Sequence, residues 1–164
     1  MISGALKDAG VSAILSDGGA VSIYSENEYQ SLDLDFVTAA GFPELTPVMT
    51  GLGFTRKGRH FEHPNCEWLI EFSAGPLMFG DEIATGWADK RTRVGVIRMV
   101  TPTRCVMDRL AAFYHWNGRQ CLDQAVMVAR RQMVDQASIK RWSKREVHAE
   151  RIAEFAATVK KKRV

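Results

Sequence analysis

The stretch Ser31-Leu32-Asp33-Leu34-Asp35-Phe36-Val37 alternates apolar and acidic residues with a period of two. That is the period of a β-strand. Leu32, Leu34 and Phe36 face one way along it, and Asp33 and Asp35 the other. Upstream, Ser12 to Leu15 is a short apolar run that ends in Ser16-Asp17-Gly18-Gly19. It reads as a strand entering a glycine turn, with Ala20 to Ser25 as a helix behind it. Downstream, Pro43 to Leu52 reads as a helix stopped by Gly53, although Pro47 would let it begin as late as Thr46-Pro47. Phe54–Arg56 and Arg59–Glu62 flank Lys57-Gly58 as a hairpin. Glu67 to Phe72 is a further strand that Gly75-Pro76 breaks, and Val94 to Val100 is the last.

From Thr101-Pro102-Thr103 onward the pattern is helical. Val106, Leu110, Phe113 and Tyr114 form one apolar stripe, which Asn117-Gly118 closes. Leu122, Ala125, Val126 and Ala129 form the next. Ser138 can cap a third helix carrying Ile139 and Trp142, and Val147, Ile152, Phe155, Ala156 and Val159 mark the last. The expected architecture is α/β (α+β): a mixed sheet flanked by helices over residues 1–100, then a C-terminal helical region with a basic tail over 101–164.

The chain has 164 residues, 46% of them hydrophobic and 25% charged, which excludes a disordered or collagen-like chain. Three cysteines (Cys66, Cys105, Cys121) lie far apart with no CxxC pair, as expected for free thiols in a reducing compartment. Met1 to Ala13 has no continuous apolar stretch and does not read as a signal peptide. No apolar run approaches the ~20 residues of a membrane span. A cytoplasmic protein with no membrane partner is the expectation. The formal net charge is +3, yet Lys140 to Val164 carries nine Lys/Arg against three Glu, a net of +6. A basic tail, with Lys160-Lys161-Lys162-Arg163 at its end, points toward an anionic partner.

Asp33 and Asp35 share one face of a strand and can share a divalent cation. Mg²⁺ takes oxygen ligands and keeps positions for water and substrate phosphates. Gly18-Gly19 at a strand-to-helix junction lets backbone N–H groups approach phosphate oxygens. Glu71 is a carboxylate inside the apolar run Trp68 to Phe72, expensive to bury without a partner, and can supply a third acid. On the other side stand plain readings: a solvated edge strand, a simple turn, and a Glu paired with an Arg.

Together these motifs resemble the signature of the nucleotidyltransferase superfamily, a Gly-Gly after the first strand followed by an acidic-x-acidic strand. Thr101-Pro102, Arg109-Leu110, Ala112 and Asp123 are similar to the helical part of minimal AbiEii-like members, often found in toxin–antitoxin systems. The resemblance spans roughly residues 12 to 130. It implies that Asp33, Asp35 and Glu71 hold Mg²⁺ (or Mn²⁺), that Gly18, Gly19 and Arg109 bind a nucleoside triphosphate, and that a nucleoside monophosphate moves to a hydroxyl of RNA, protein or a small molecule. Arg109 stands where AbiEii-like proteins tend to have a lysine, and Tyr29 where an arginine is common. Two alternatives stand beside the enzyme: a catalytically weak module binding a cognate toxin or antitoxin, and a nucleic-acid-binding domain working through its tail.

Further signals are weaker. His60, His63 and Cys66 are spaced like zinc ligands but lack an evident fourth. Arg56, Lys57 and Arg59 crowd one hairpin tip, usually a solvated one. Phe113, Tyr114, Trp116 and Trp142 can stack bases or fill a core. His115 and His148 read as surface histidines. Lys140, Arg141, Lys144 and Arg145 can track a phosphate backbone or form a solvated helix face.

Overall fold

The alternating acidic stretch forms a strand near the middle of a seven-stranded mixed sheet. The computed structural model describes residues 1–76, 78–79, 82–83 and 86–161; Lys162 and Arg163 of the basic tail lie outside them. The sheet strands are β1 (Ala13–Ser16), β2 (Asp33–Thr38), β3 (Thr55–Lys57), β4 (His60–His63), β5 (Cys66–Ala74), β8 (Trp87–Thr92) and β9 (Gly95–Val100). They lie in the order β3-β4-β5-β2-β1-β9-β8. The short strands β6 (Met78–Phe79) and β7 (Glu82–Ile83) pair with each other apart from that sheet. β2 runs antiparallel to β1 and parallel to β5, while β1 runs parallel to β9. This is the mixed α/β architecture expected from the sequence.

Among the described residues seven α-helices accompany the strands. α1 (Ile2–Asp8), α2 (Asp17–Tyr24) and α3 (Phe42–Gly51) lie among the strands, and α4 (Pro102–Trp116), α5 (Arg119–Arg131), α6 (Gln136–Ser143) and α7 (Ile152–Lys160) follow them. α3 begins at Phe42, ahead of Pro47. The Gly41 N–H donates to Glu44 Oε2 (2.9 Å), so the helix is fixed by its first turn and tolerates the i→i−4 bond that Pro47 surrenders. Thr101 caps α4, its hydroxyl accepting from the Arg104 N–H, and Asn117 in the left-handed region ends it. Asp135, not Ser138, caps α6: its Oδ1 accepts from the Ser138 N–H at 2.9 Å. Val147 falls before α7 and is exposed.

The apolar faces meet in one core. Leu15, Phe36, Ile70 and Met99 from the sheet join Val21 and Tyr24 of α2, Leu110 and Phe113 of α4, Leu122 of α5, Trp142 of α6 and Phe155 of α7. The Tyr24 hydroxyl reaches the Val100 carbonyl at 2.6 Å, tying α2 to the end of β9. Trp142 stacks on Tyr114 with ring centroids 6.0 Å apart, and the Tyr114 hydroxyl meets that of Ser143 at 2.8 Å. These two aromatics are therefore core, whereas Trp116 is 83% exposed. The helices from α4 onward do not stand apart; they close the same core that the sheet opens.

α1, β8 and the β6–β7 pair are additions to the elements read from the sequence. Trp87–Thr92 has little apolar alternation, and it becomes a strand by pairing antiparallel to β9, with Asp89 opposite Arg98 and bonded to it at 3.0 Å. Lys90 and Arg91 leave that outer edge charged, a common device against edge-to-edge pairing.

Candidate active site

Cross-strand register assembles the site. Ser16 pairs with Asp35, Asp35 with Glu71, Glu71 with His60, and His60 with Lys57. Directly paired residues project from the same face. A row Ser16–Asp35–Glu71–His60–Lys57 thus crosses five strands, and Asp33 lies on the same face one pleat before Asp35. The opposite face of β2 turns inward. Leu34 packs under α2, and Phe36 stacks on Phe72 with centroids 5.6 Å apart.

Asp35 is half-buried in this row, Asp33 exposed and Glu71 intermediate. Burial pushes the Asp35 carboxyl up, and the charges of Asp17, Glu71 and Asp33 push it further, while Arg109 pulls against them. The result is about 6, against 3.8 for an ordinary aspartate. Asp35 therefore stands in a field of negative charge that a cation would relieve.

Asp17 was legible only as part of a turn, yet it joins this cluster. It opens α2 with φ of 49°, directly after β1. Its Oδ1 accepts from the Gly18 N–H at 2.6 Å and from Arg109 Nη1 at 2.7 Å. The signal available in sequence was a carboxylate placed between a strand end and two glycines.

Arg109 reaches the site from α4, but as a buried, paired cation. Its Nε and Nη2 bond Asp108 Oδ2 at 3.1 and 2.7 Å, and Nη1 also approaches Gln124 Oε1 at 3.4 Å. Burial alone would lower Arg109; the Asp108 and Asp17 carboxylates outweigh it and hold the guanidinium above its ordinary value. Burial pushes the Asp108 carboxyl up in turn. Arg109 thus clamps the start of α2 to α4 and α5.

Gly18 and Gly19 are buried in the first turn of α2, and packing demands both. A Cβ on Gly18 would lie 2.5 Å from Ser31 Oγ, and one on Gly19 3.0 Å from both Leu15 Cδ1 and Leu34 Cδ2. Their small size lets α2 sit directly on the strands that carry the acids. Gly18→Ala is expected to cost about 1–3 kcal/mol through overpacking, read as a lower urea midpoint at unchanged slope.

The remaining candidates separate. His60 bonds Glu62 at 2.8 Å, and His63 Nδ1 accepts from the Asn65 N–H while its ring lies 5.1 Å from that of Phe54. They form no zinc centre with Cys66. Among the described residues no three His, Cys, Asp or Glu side chains converge on a ready-made metal cage, and this includes Asp33, Asp35 and Glu71. Arg56 folds over the Phe42 ring at 3.6 Å, so of the hairpin-tip charges only Lys57 lies in the row. His115 meets Glu146 at 3.4 Å and His148 meets Glu150 at 3.5 Å, both at the surface. Cys66, Cys105 and Cys121 are free thiols. No described helix is long and apolar enough to cross a membrane.

No protein-family model matches the chain, and a search of curated proteins finds no match. Among solved structures the chain is similar to the antibiotic-resistance factor ANT(2'')-Ia, determined in solution, with a TM-score of 0.42 and 15% identity. The match covers 87% of this chain and 90% of that one. A likeness at that level decides no activity.

Proposed function

We propose that this chain is a divalent-cation-dependent nucleotidyltransferase that moves a nucleoside monophosphate from a nucleoside triphosphate to a hydroxyl. One observation carries the reading: Asp33, Asp35 and Glu71 share one face of two paired central strands, and burial, joined by repulsion from Asp17, Glu71 and Asp33, raises the Asp35 carboxyl to about 6. Hard oxygen donors in repulsion suit Mg²⁺ or Mn²⁺. Mg²⁺ is commonly held by one or two carboxylates with waters and substrate phosphates, so the Asp33/Asp35 pair fits it without a closed protein cage. When bound, such an ion neutralises charge on the phosphates of the substrate.

The chain's own residues do the rest. Asp33 and Asp35 stand on a rigid strand, which fixes their spacing. Glu71, opposite Asp35, takes the proton of the incoming hydroxyl as its oxygen bonds the α-phosphorus and pyrophosphate leaves. Gly18 and Gly19 let the first turn of α2 sit directly on the strands that carry the acids, which brings the helix N-terminus to where β- and γ-phosphates would lie, and Arg109 holds Asp17 there. Residues 1–100 then form the nucleotidyltransferase-like core, and the helical region 101–164 contributes Arg109. The motifs from Gly18 to Asp123 favour the minimal AbiEii-like form, with an RNA, protein or small-molecule acceptor and a toxin–antitoxin partner as its context.

Calorimetric titration tests the reading. Each nucleoside triphosphate is titrated with and without Mg²⁺ into the wild type and into a folded Asp33→Ala/Asp35→Ala variant. Binding that requires Mg²⁺ and falls at least 100-fold in the variant is expected. A folded wild type that binds no triphosphate in Mg²⁺ overturns it.

A further inference from the structure

The row of carboxylates continues past Ser16. β1 and β9 are parallel with Leu15 beside Met99, so Ser16 and Val100 are neighbours on the other face, the one that carries the acids. β8 pairs antiparallel to β9, and Trp87 lies directly across from Val100. The row therefore runs Lys57–His60–Glu71–Asp35–Ser16–Val100–Trp87 and spans all seven strands of the sheet. Its two ends differ in chemistry. On the β5 side of Asp35 it is polar and charged, whereas on the β8 side it ends in an apolar residue and an indole.

Among the described residues of the seven strands, Trp87 is the only Phe, Tyr or Trp on this face; Phe36, Phe61, Trp68 and Phe72 alternate onto the other. It is 36% exposed, although Val100 beside it is only 1% exposed. The Cβ atoms of directly opposite residues lie about 4.5–5.5 Å apart, so the indole springs from beside a buried apolar floor. The nearest charges on the same face of the hairpin, Asp89 and Arg98, bond each other at 3.0 Å. A planar ring is the partner that an exposed aromatic face suits best. Neighbouring strands lie about 4.8 Å apart, which puts the Trp87 backbone about 14 Å from that of Asp35, three strands away. The ribose and nucleobase of a nucleotide held by its α-phosphate at the carboxylates, together with the length of the indole, are of the size to fill that interval.

We infer that Trp87 stacks on the nucleobase of the nucleoside triphosphate and so sets the direction in which the nucleotide lies on the sheet. The inference rests on the nucleotidyltransferase reading and adds an orientation to it. Glu71 and the hydroxyl it deprotonates lie on the β5 side of Asp35, and the nucleoside extends to the β8 side. Stacking uses the ring face, which every nucleobase has, and reads none of its hydrogen-bonding edge. Trp87 by itself therefore favours a nucleotide over bare phosphates while discriminating little among nucleobases. One stacked nucleobase is worth about 5- to 150-fold in affinity.

The experiment is calorimetric titration, in Mg²⁺, of ATP and of inorganic tripolyphosphate, which offers the phosphates without a ring. Both go into the wild type, Trp87→Leu and Trp87→Phe. Trp116→Leu serves as control, since that indole is 83% exposed at the end of α4. Leucine keeps apolar bulk on the edge strand without a ring, phenylalanine restores a ring, and circular dichroism verifies each fold. Trp87→Leu is expected to bind ATP at least about fivefold more weakly than wild type and tripolyphosphate within about twofold of it. Trp87→Phe and Trp116→Leu are expected to stay within about threefold of wild type for both ligands. Unchanged ATP affinity in Trp87→Leu, an equal loss for both ligands, or equal losses in the leucine and phenylalanine variants overturns the inference and leaves the carboxylate site standing. A wild type that binds neither ligand in Mg²⁺ overturns both.

Discussion

Asp35→Asn is expected to stabilise the fold at pH 7.5 in EDTA while removing its response to Mg²⁺. The folded protein holds the Asp35 proton more tightly than the unfolded chain does, to about 6 instead of 3.8. The stability this group contributes is therefore fully present below about 3.8 and is lost as pH rises through about 6. Above that the ionised carboxylate is a liability, half-buried beside Asp17, Glu71 and Asp33. An amide keeps the shape and removes the repulsion. A gain on the order of 1 kcal/mol, about 2–4 °C in Tm for a chain of this size, is expected. In the wild type Mg²⁺ should raise Tm at pH 7.5 and do so far less at pH 5, where Asp35 is protonated. The variant should show neither the Mg²⁺ response nor its pH dependence. Differential scanning calorimetry at the two pH values, with and without 10 mM Mg²⁺, measures all of this. A variant that melts lower than wild type in EDTA and still responds to Mg²⁺ would remove the basis for placing a cation on this strand. That pattern would be the opposition between a functional site and stability that the proposed cation site predicts, its carboxylates repelling one another when no cation is bound.

The opposite sign is expected at Arg109. Arg109→Ala removes a buried guanidinium that bonds Asp108 and Asp17 and approaches Gln124. Asp108 would then be left in a partly buried position without its counter-charge. Breaking a buried pair from one side costs about 3–5 kcal/mol. The loss should appear as a markedly lower urea midpoint. Arg109→Lys should recover only part of it, because an ammonium cannot span Asp108 and Asp17 with a planar fork. The double variant Arg109→Met/Asp108→Leu tests the cause. If the unpaired carboxylate is responsible, the double variant is more stable than Arg109→Ala. If lost packing is responsible, it is not. On the proposed reading Arg109 acts through Asp17 and is a positioning residue: in Arg109→Lys the affinity for triphosphate should fall along with the stability that ties α2 to α4. A lysine variant with wild-type stability and weakened triphosphate binding would instead mark Arg109 as a direct phosphate contact.

The two variants bracket how the site is built. A strand pair lines up carboxylates that repel, and a cationic clamp behind them holds the helix start in place. The repulsion is local and available for a ligand to relieve. The clamp is buried and belongs to the fold.

Much of this was legible in the sequence. The alternation from Leu32 to Val37 was enough to make a strand with its acids on one face, because a period of two has no other regular solution. Gly18-Gly19, read as a turn, lie in the first turn of α2, where packing against Ser31, Leu15 and Leu34 requires them, whereas Thr101-Pro102 and Asn117-Gly118 marked boundaries because their backbone chemistry is local. The apolar stripes of α4 to α7 were visible for the same reason. Other features were settled only by tertiary structure. The register that sets Glu71 beside Asp35, and His60 and Lys57 beyond it, depends on strand order, which no short window of sequence encodes. Trp87–Thr92 is a strand because β9 offers it hydrogen bonds. Arg109 pointed to phosphate in sequence, and its bonds to Asp108 and Asp17 became visible only in the fold, since a buried guanidinium takes the nearest carboxylates. Arg104 comes to line the same hollow as Arg141 and Arg145 only once α6 folds back on the start of α4. Residue type and period are properties of neighbours along the chain, whereas a charge's partner is chosen by distance in space.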